Sequence, residues 1–241
     1  MCPASARFAK TIRSKLQRSN VKLPHVTGHP FALAVVDFHG SASMAWTREA
    51  LPSYLYGLYR VVADTPTGRG VIEERITQLR DPDPIPAGIF RNPAYAHLSA
   101  IIFSNAGTMT KFNRMGFLAG IRPPGLSMVR GGVIYDRTSD ALEPIEFEED
   151  ILSDKYTALW AGGECWCQEL EAFHNPLATN PFPHDLLPGE THWFERDGEL
   201  VCEAYWENTF MASVTPLRSS LPAAKLQQSK DGERQGRNGD D

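Results

Sequence analysis

The chain has 241 residues, a hydrophobic fraction of 42%, an aromatic fraction of 10% and a formal net charge of −5. That is enough apolar chain to bury a core, and the composition is that of a soluble globular protein. No apolar run approaches the ~20 residues of a membrane-spanning helix and the start lacks the apolar stretch of a secretory signal. The expectation is a reduced, cytoplasmic protein with no membrane partner, and the net charge argues mildly against a general nucleic-acid binder.

The charge is unevenly placed. Residues 1–30 carry Arg7, Lys10, Arg13, Lys15, Arg18 and Lys22 and no carboxylate, whereas residues 141–207 carry sixteen acidic groups against Lys155 and Arg196. Such an asymmetry marks either a polyanion-facing end or two surfaces that attract each other.

Residues 4–18 read as an amphipathic helix. Phe8, Ile12 and Leu16 recur every fourth position with Ala9 beside them, and Arg7, Lys10 and Arg18 fall opposite. A strong apolar face starting this close to Met1 suggests a domain with a missing upstream part. After a loop at 23–29, Pro30 to His39 reads as a buried strand ending in two polar groups, Asp37 and His39.

Apolar spacing then predicts a helix over 47–62, through Leu51, Leu55, Leu58 and Val62, and another over 71–80, through Ile72, Ile76 and Leu79. Asp81 to Pro86 breaks the chain. A second buried strand, 98–104, leads through Gly107 into a short basic helix capped by Thr108. Residues 127–135 read as a strand interrupted at Gly131-Gly132, and 141–155 as acidic surface. Asp197-Gly198, between 191–196 and 199–206, predicts a type I′ hairpin. Residues 218–241, rich in Ser, Gln, Lys, Arg, Asp and Gly, read as a disordered tail. The fold class is therefore mixed α/β (α+β). A central mixed sheet, flanking helices and a C-terminal hairpin make one domain over 1–217.

Four groups of residues could carry chemistry. Asp37 and His39, two apart on a strand, share a face and could act as a base with its orienting partner or hold a divalent metal. The dull alternative is a carboxylate bonded to a loop and an imidazole capping a turn. Asn105, Thr108, Lys111 and Arg114 open a helix after a strand, where backbone N–H groups and two cations suit a phosphate. A solvated basic face is the alternative. His174, His184 and His192, with Glu164, Glu169 and Glu171 nearby in sequence, could bind a metal, but the spacings are not diagnostic and Asn175-Pro176 suits a turn. Cys165-Trp166-Cys167 lacks the C-x2-C spacing of a zinc knuckle or redox helix and reads as buried thiols.

Several stretches carry a resemblance. Residues 7–16, Leu23-Pro24-His25-Val26, the strand over 30–39, Tyr54-Leu55-Tyr56-Gly57, residues 103–108, residues 111–116 and Phe173-His174-Asn175-Pro176 together resemble a group of uncharacterised bacterial proteins, over most of residues 7–210. The helix–strand–helix opening is also similar to the later half of the restriction-endonuclease-like core. That resemblance implies a nuclease-like fold whose catalytic carboxylates and Glu-x-Lys would lie before residue 1, with Lys15 carried over as a helix position near that site.

The leading expectation is a nuclease-like protein without its catalytic front half. It would bind nucleic acid or phosphate through Arg7, Lys10, Lys15, Lys111 and Arg114. The alternatives are a metal-dependent hydrolase, with Asp37 and His39 catalytic and His174 and His192 on a divalent metal, and a non-catalytic module docking through 141–207.

Overall fold

The computed structural model describes residues 3–18, 20–38, 50–66, 68–79, 84–136, 143–160, 163–187, 189–205 and 210–220. The architecture is mixed α/β with strands dominating over helices. No described helix is long and apolar enough to cross a membrane.

Helix α1 (Pro3–Leu16) turns Phe8, Ala9 and Ile12 inward, each at most 4% exposed, and its cations outward. This is the face the spacing predicts. Its apolar side packs in the main hydrophobic cluster with Leu51, Tyr54 and Leu55 of a second helix, α2, described over 50–55. Phe8 meets Phe103 edge-on at 6.1 Å.

Strand β1 (Ala32–Val35) pairs over four residues of the apolar run. The predicted helix over 47–62 is shorter, because the chain turns at Gly57. That residue adopts φ +68, and a Cβ there would meet the Ile76 carbonyl oxygen at 2.6 Å. The segment from Leu58 on is strand β2 (Leu58–Thr65), and the predicted helix over 71–80 is instead strand β3 (Gly68–Arg75). The two form a hairpin with Val61 opposite Ile72 and Val62 opposite Val71. Three apolar residues at helical spacing were outweighed by β-branched pairs across a ladder. Strands β4 (Gln78–Leu79) and β5 (Ile85–Pro86) make a second, very short pair.

Strands β6 (Ala100–Phe103), β9 (Glu171–His174), β10 (Thr191–Arg196) and β11 (Glu199–Ala204) join β1 in a five-stranded sheet of order β1-β6-β9-β10-β11. The β1–β6 and β9–β10 pairs are parallel and the other two antiparallel. Leu33, Ile101, Phe103 and Phe173 face the helices, and Ala32, Ala100 and Ala172 face Phe182 on the other side. The β10–β11 turn is the predicted one, with Asp197 at φ 52 and Gly198 at φ 88.

A second sheet is built around β7 (Leu126–Ile134). One edge pairs with β8 (Ile145–Asp150), the other with β12 (Phe210–Val214) and then β13 (Leu217–Ser219). Gly131 and Gly132 do not interrupt β7. A Cβ on Gly132 would meet the Ala212 carbonyl at 2.2 Å, so the glycine lets β12 approach. Within the acidic run at 141–155, residues 145–150 form β8, which pairs with β7 and is largely exposed, as the acidic-surface reading expected. Helix α3 (Met109–Leu118), the short α4 (Asp154–Ala158) and the turn after it cover this sheet through Phe117, Tyr156 and Trp160, which cluster with Met128, Ile134 and Phe210. Strand β13 takes residues 218 and 219 out of the predicted tail, and 221–241 lie outside the described residues.

Candidate functional site

Two polar clusters stand out. The first surrounds α3. Thr108 caps the helix as its spacing predicts, its side chain accepting from the Lys111 N–H at 3.2 Å. Lys111 and Arg114 follow at the third and sixth positions beyond it. The basic face predicted for them is turned inward: Lys111 is 2% exposed and Arg114 3%. Both reach a loop running from 163 to 170. The Arg114 Nε donates to both oxygens of Glu164, at 2.9 and 2.8 Å, and its Nη1 donates to Thr215 Oγ1 at 2.8 Å. Lys111 donates to the Gln168 carbonyl and lies 3.8 Å from the Glu169 carboxylate.

A third cation, Arg130 of β7, enters from the opposite wall and is 1% exposed. It donates to Glu169, to Ser213 at 2.8 and 3.0 Å, and to the Tyr156 hydroxyl at 3.3 Å. Its guanidinium carbon lies 3.6 Å from the centre of the Phe210 ring, a cation–π contact. The Tyr156 hydroxyl in turn donates to Glu164 at 3.0 Å. Burial raises the Tyr156 pKa and lowers that of Lys111, whose charge the nearby glutamates support.

These groups border a cavity of about 430 Å³ between α3 and the β12–β13 junction. Lys111, Arg114, Arg130 and Glu169 line it, with the hydroxyls of Thr108, Thr110, Ser213 and Thr215. Three cations against Glu164 and Glu169 leave a formal surplus of one positive charge, so the site suits an anion that accepts from guanidinium and hydroxyl donors. Sequence reasoning named Lys111 and Arg114 but missed Arg130. The available signal was a lone arginine inside the apolar strand Met128-Val129-Arg130, a pattern that requires a buried partner.

The second cluster lies on the Phe182 face of β9 and β10. His174 closes β9, and Tyr56 locks it there: its hydroxyl donates to the His174 carbonyl at 2.8 Å and lies 3.0 Å from the Trp193 carbonyl. The rings of His174, His184 and His192 sit 4.8 to 5.2 Å apart. Phe194 stacks on His174 at 4.5 Å and on His184 at 4.6 Å. His174 Nε2 and His192 Nδ1 are hydrogen-bonded at 2.9 Å, which needs one donor and one acceptor and is broken when both rings are charged. Burial, then the neighbouring histidines, push the His174 pKa down to about 4, and burial also lowers that of His192. Glu190 is 1% exposed, finds no hydrogen-bond partner among the described residues, and lies 3.6 Å from His192 Nε2. Burial raises its pKa to about 7.

The structure thus brings His174, His184 and His192 together and adds Glu190. Among the described residues no group of three or more His, Cys, Asp or Glu is arranged to hold a metal ion. A metal on His174 and His192 would have to separate the pair first. Asp37 is buried, pairs with Arg7 of α1, and its N–H donates to Asn105 Oδ1 at 3.0 Å, tying the parallel ends of β1 and β6. His39 lies outside the described residues. Lys10 and Lys15 are exposed on the outer side of α1. The site residues therefore fall into separate places: Asp37 with Arg7, Lys111 with Arg114, and His174 with His192.

Comparison with family models, with curated proteins and with solved structures finds no match to this chain.

Proposed function

We propose that the protein binds a small phosphate-bearing ligand in the cavity at the start of α3, held by Lys111, Arg114 and Arg130. The observation that carries this reading is three buried cations bordering one cavity with a net positive charge. Cations at such depth cost several kcal/mol each in desolvation, roughly, and a bare packing role would be met more cheaply by apolar residues of the same size. The hydroxyls of Thr108, Thr110, Ser213 and Thr215 add donors suited to phosphate oxygens.

Titration calorimetry with inorganic phosphate and with phenyl phosphate tests it. Binding is expected in the native protein, weakened on the order of 10- to 100-fold by Lys111→Met, the loss of one charge-assisted hydrogen bond. Native, folded protein that takes up neither probe overturns the proposal. Arg130→Met is a poor test here, since Arg130 also ties α4 and β12 to the sheet.

A second reading, nucleic-acid binding, rests on a different observation: Lys10, Arg13 and Lys15 are all exposed on one helix, α1, with Arg7 beside them and Arg18 exposed just past its end. In this reading the exposed cations of α1 lie against a polyanion. DNA affinity that falls steeply with salt, and falls further on charge reversal at Arg7 and Lys10, is the expected result. Salt-independent or absent binding removes it.

A further inference from the structure

The loop that supplies the counter-charges for α3 holds a second reactive feature. Cys165 and Cys167 lie between Glu164 and Gln168, and their Sγ atoms are 3.3 Å apart. Closing that gap to the length of a disulfide requires the sulfurs to approach by little more than about 1 Å. Cys165 is partly exposed and Cys167 is 2% exposed, while Trp166 between them is 53% exposed. One thiol is therefore open to a reagent in solution and the other waits directly behind it. The backbone turn is held from both sides, with the Gln168 N–H on the Cys165 carbonyl at 3.4 Å and the Leu170 N–H on the Cys167 carbonyl at 3.0 Å.

We infer that Cys165 and Cys167 are a redox-active pair that closes reversibly into an intramolecular disulfide by exchange with a low-molecular-weight disulfide such as oxidised glutathione. The Cys165 thiolate attacks one sulfur of the reagent. A mixed disulfide forms, the reagent's own S–S bond breaks, and one glutathione leaves as thiolate. The Cys167 thiolate then attacks the Cys165 sulfur, the second glutathione leaves, and the protein S–S bond forms. Two electrons pass to the reagent, and the two thiol protons end on the released glutathiones.

Burial raises the Cys167 pKa to about 11, with the hydrogen bond and charge of Cys165 adding to it, while the Lys111 ammonium pulls the other way. Cys167 is accordingly a poor first nucleophile. As the resolving thiol it needs only its position against Cys165, where effective concentration replaces thiolate fraction. The pair does not depend on what the cavity binds.

The test uses the full reduced chain, incubated with oxidised glutathione and followed by intact mass, thiol titration and peptide mapping. The expected product has lost two hydrogens and two of its four titratable thiols, carries a cross-link between Cys165 and Cys167, and returns to the starting mass with dithiothreitol. Cys167→Ser is expected to stop at a single glutathione adduct on Cys165. A lasting adduct on Cys165 in the native chain, a cross-link to Cys2 or Cys202, or four thiols remaining would each overturn the inference.

Discussion

In the five-stranded sheet, His174 is buried and His192 half-buried, and burial disfavours the charged form of both. Ring contacts hold them, one imidazole donates to the next, and Glu190 is pushed toward its neutral acid. Against the second sheet, Arg114 of α3 and Arg130 of β7 are buried with carboxylates at hydrogen-bond distance. Both clusters put polar atoms out of water, yet they answer differently to a proton and to a deletion. Neutral groups respond to pH but lose little when one is removed. Paired charges respond little to mild pH changes and lose much when one partner goes, because the other remains buried and uncompensated.

The largest effect is expected where that rule is tested directly. Arg130→Met removes one donor from Glu169 and the Arg130 donor from Ser213, and is expected to cost about 3–5 kcal/mol, read as a lower urea midpoint. The double variant Arg130→Met, Glu169→Gln should recover part of that loss. A midpoint unchanged by Arg130→Met would mean the network is packing rather than paired charge. On the histidine side, Tyr56→Phe removes the donor to the buried His174 carbonyl and is expected to cost about 1–3 kcal/mol in the same assay.

The pH dependence of stability separates the clusters without breaking either. His174 has a folded pKa near 4 against an ordinary 6.5, so between those values only the unfolded chain takes up the proton. Stability from this group is complete above pH 6.5 and is lost as pH falls toward 4. Glu190 runs oppositely: its folded pKa is near 7 against 4.5, so its burial penalty is full above pH 7 and disappears as pH falls to 4.5. Glu190→Gln is therefore expected to be more stable than the native chain at pH 7.5 and equal to it at pH 4.5. Equal midpoints at both pH values would show that Glu190 is not buried as a carboxylate. The smallest effect is Thr108→Ala, about 1 kcal/mol from the lost cap of α3, with phosphate affinity reduced in step.

What could be read from the sequence follows the range of the forces involved. The Thr108 cap, the Asp197-Gly198 turn and the inward face of α1 depend on residues a few positions apart, and all three are present. Strands β2 and β3 were misread because Leu55, Leu58 and Val62, like Ile72, Ile76 and Leu79, fit a helix as well as a strand. The choice was made by Gly57 and by a partner across the ladder. Lys111 and Arg114 were legible as cations at a helix start, but their burial was not. It depends on Glu164, 50 positions beyond Arg114, and on Thr215, 101 beyond it. The three histidines could be named from their clustering in the chain, whereas Glu190 gave no signal, since an isolated glutamate in a loop is ordinarily solvated.

Pro216 interrupts the ladder that β12 and β13 share along β7, and Val214, Thr215 and Pro216 form one wall of the cavity there. Proline has no amide hydrogen to offer, and β13 beyond it is three exposed residues long. This wall therefore sits on the part of the sheet that opens most easily, and its amides should trade hydrogen for deuterium well before those of β9 or β10. A ligand seated against Thr215 would slow that trade over 214–219 while leaving the five-stranded sheet unchanged. Occupancy of a site with no chromophore could thus be timed residue by residue.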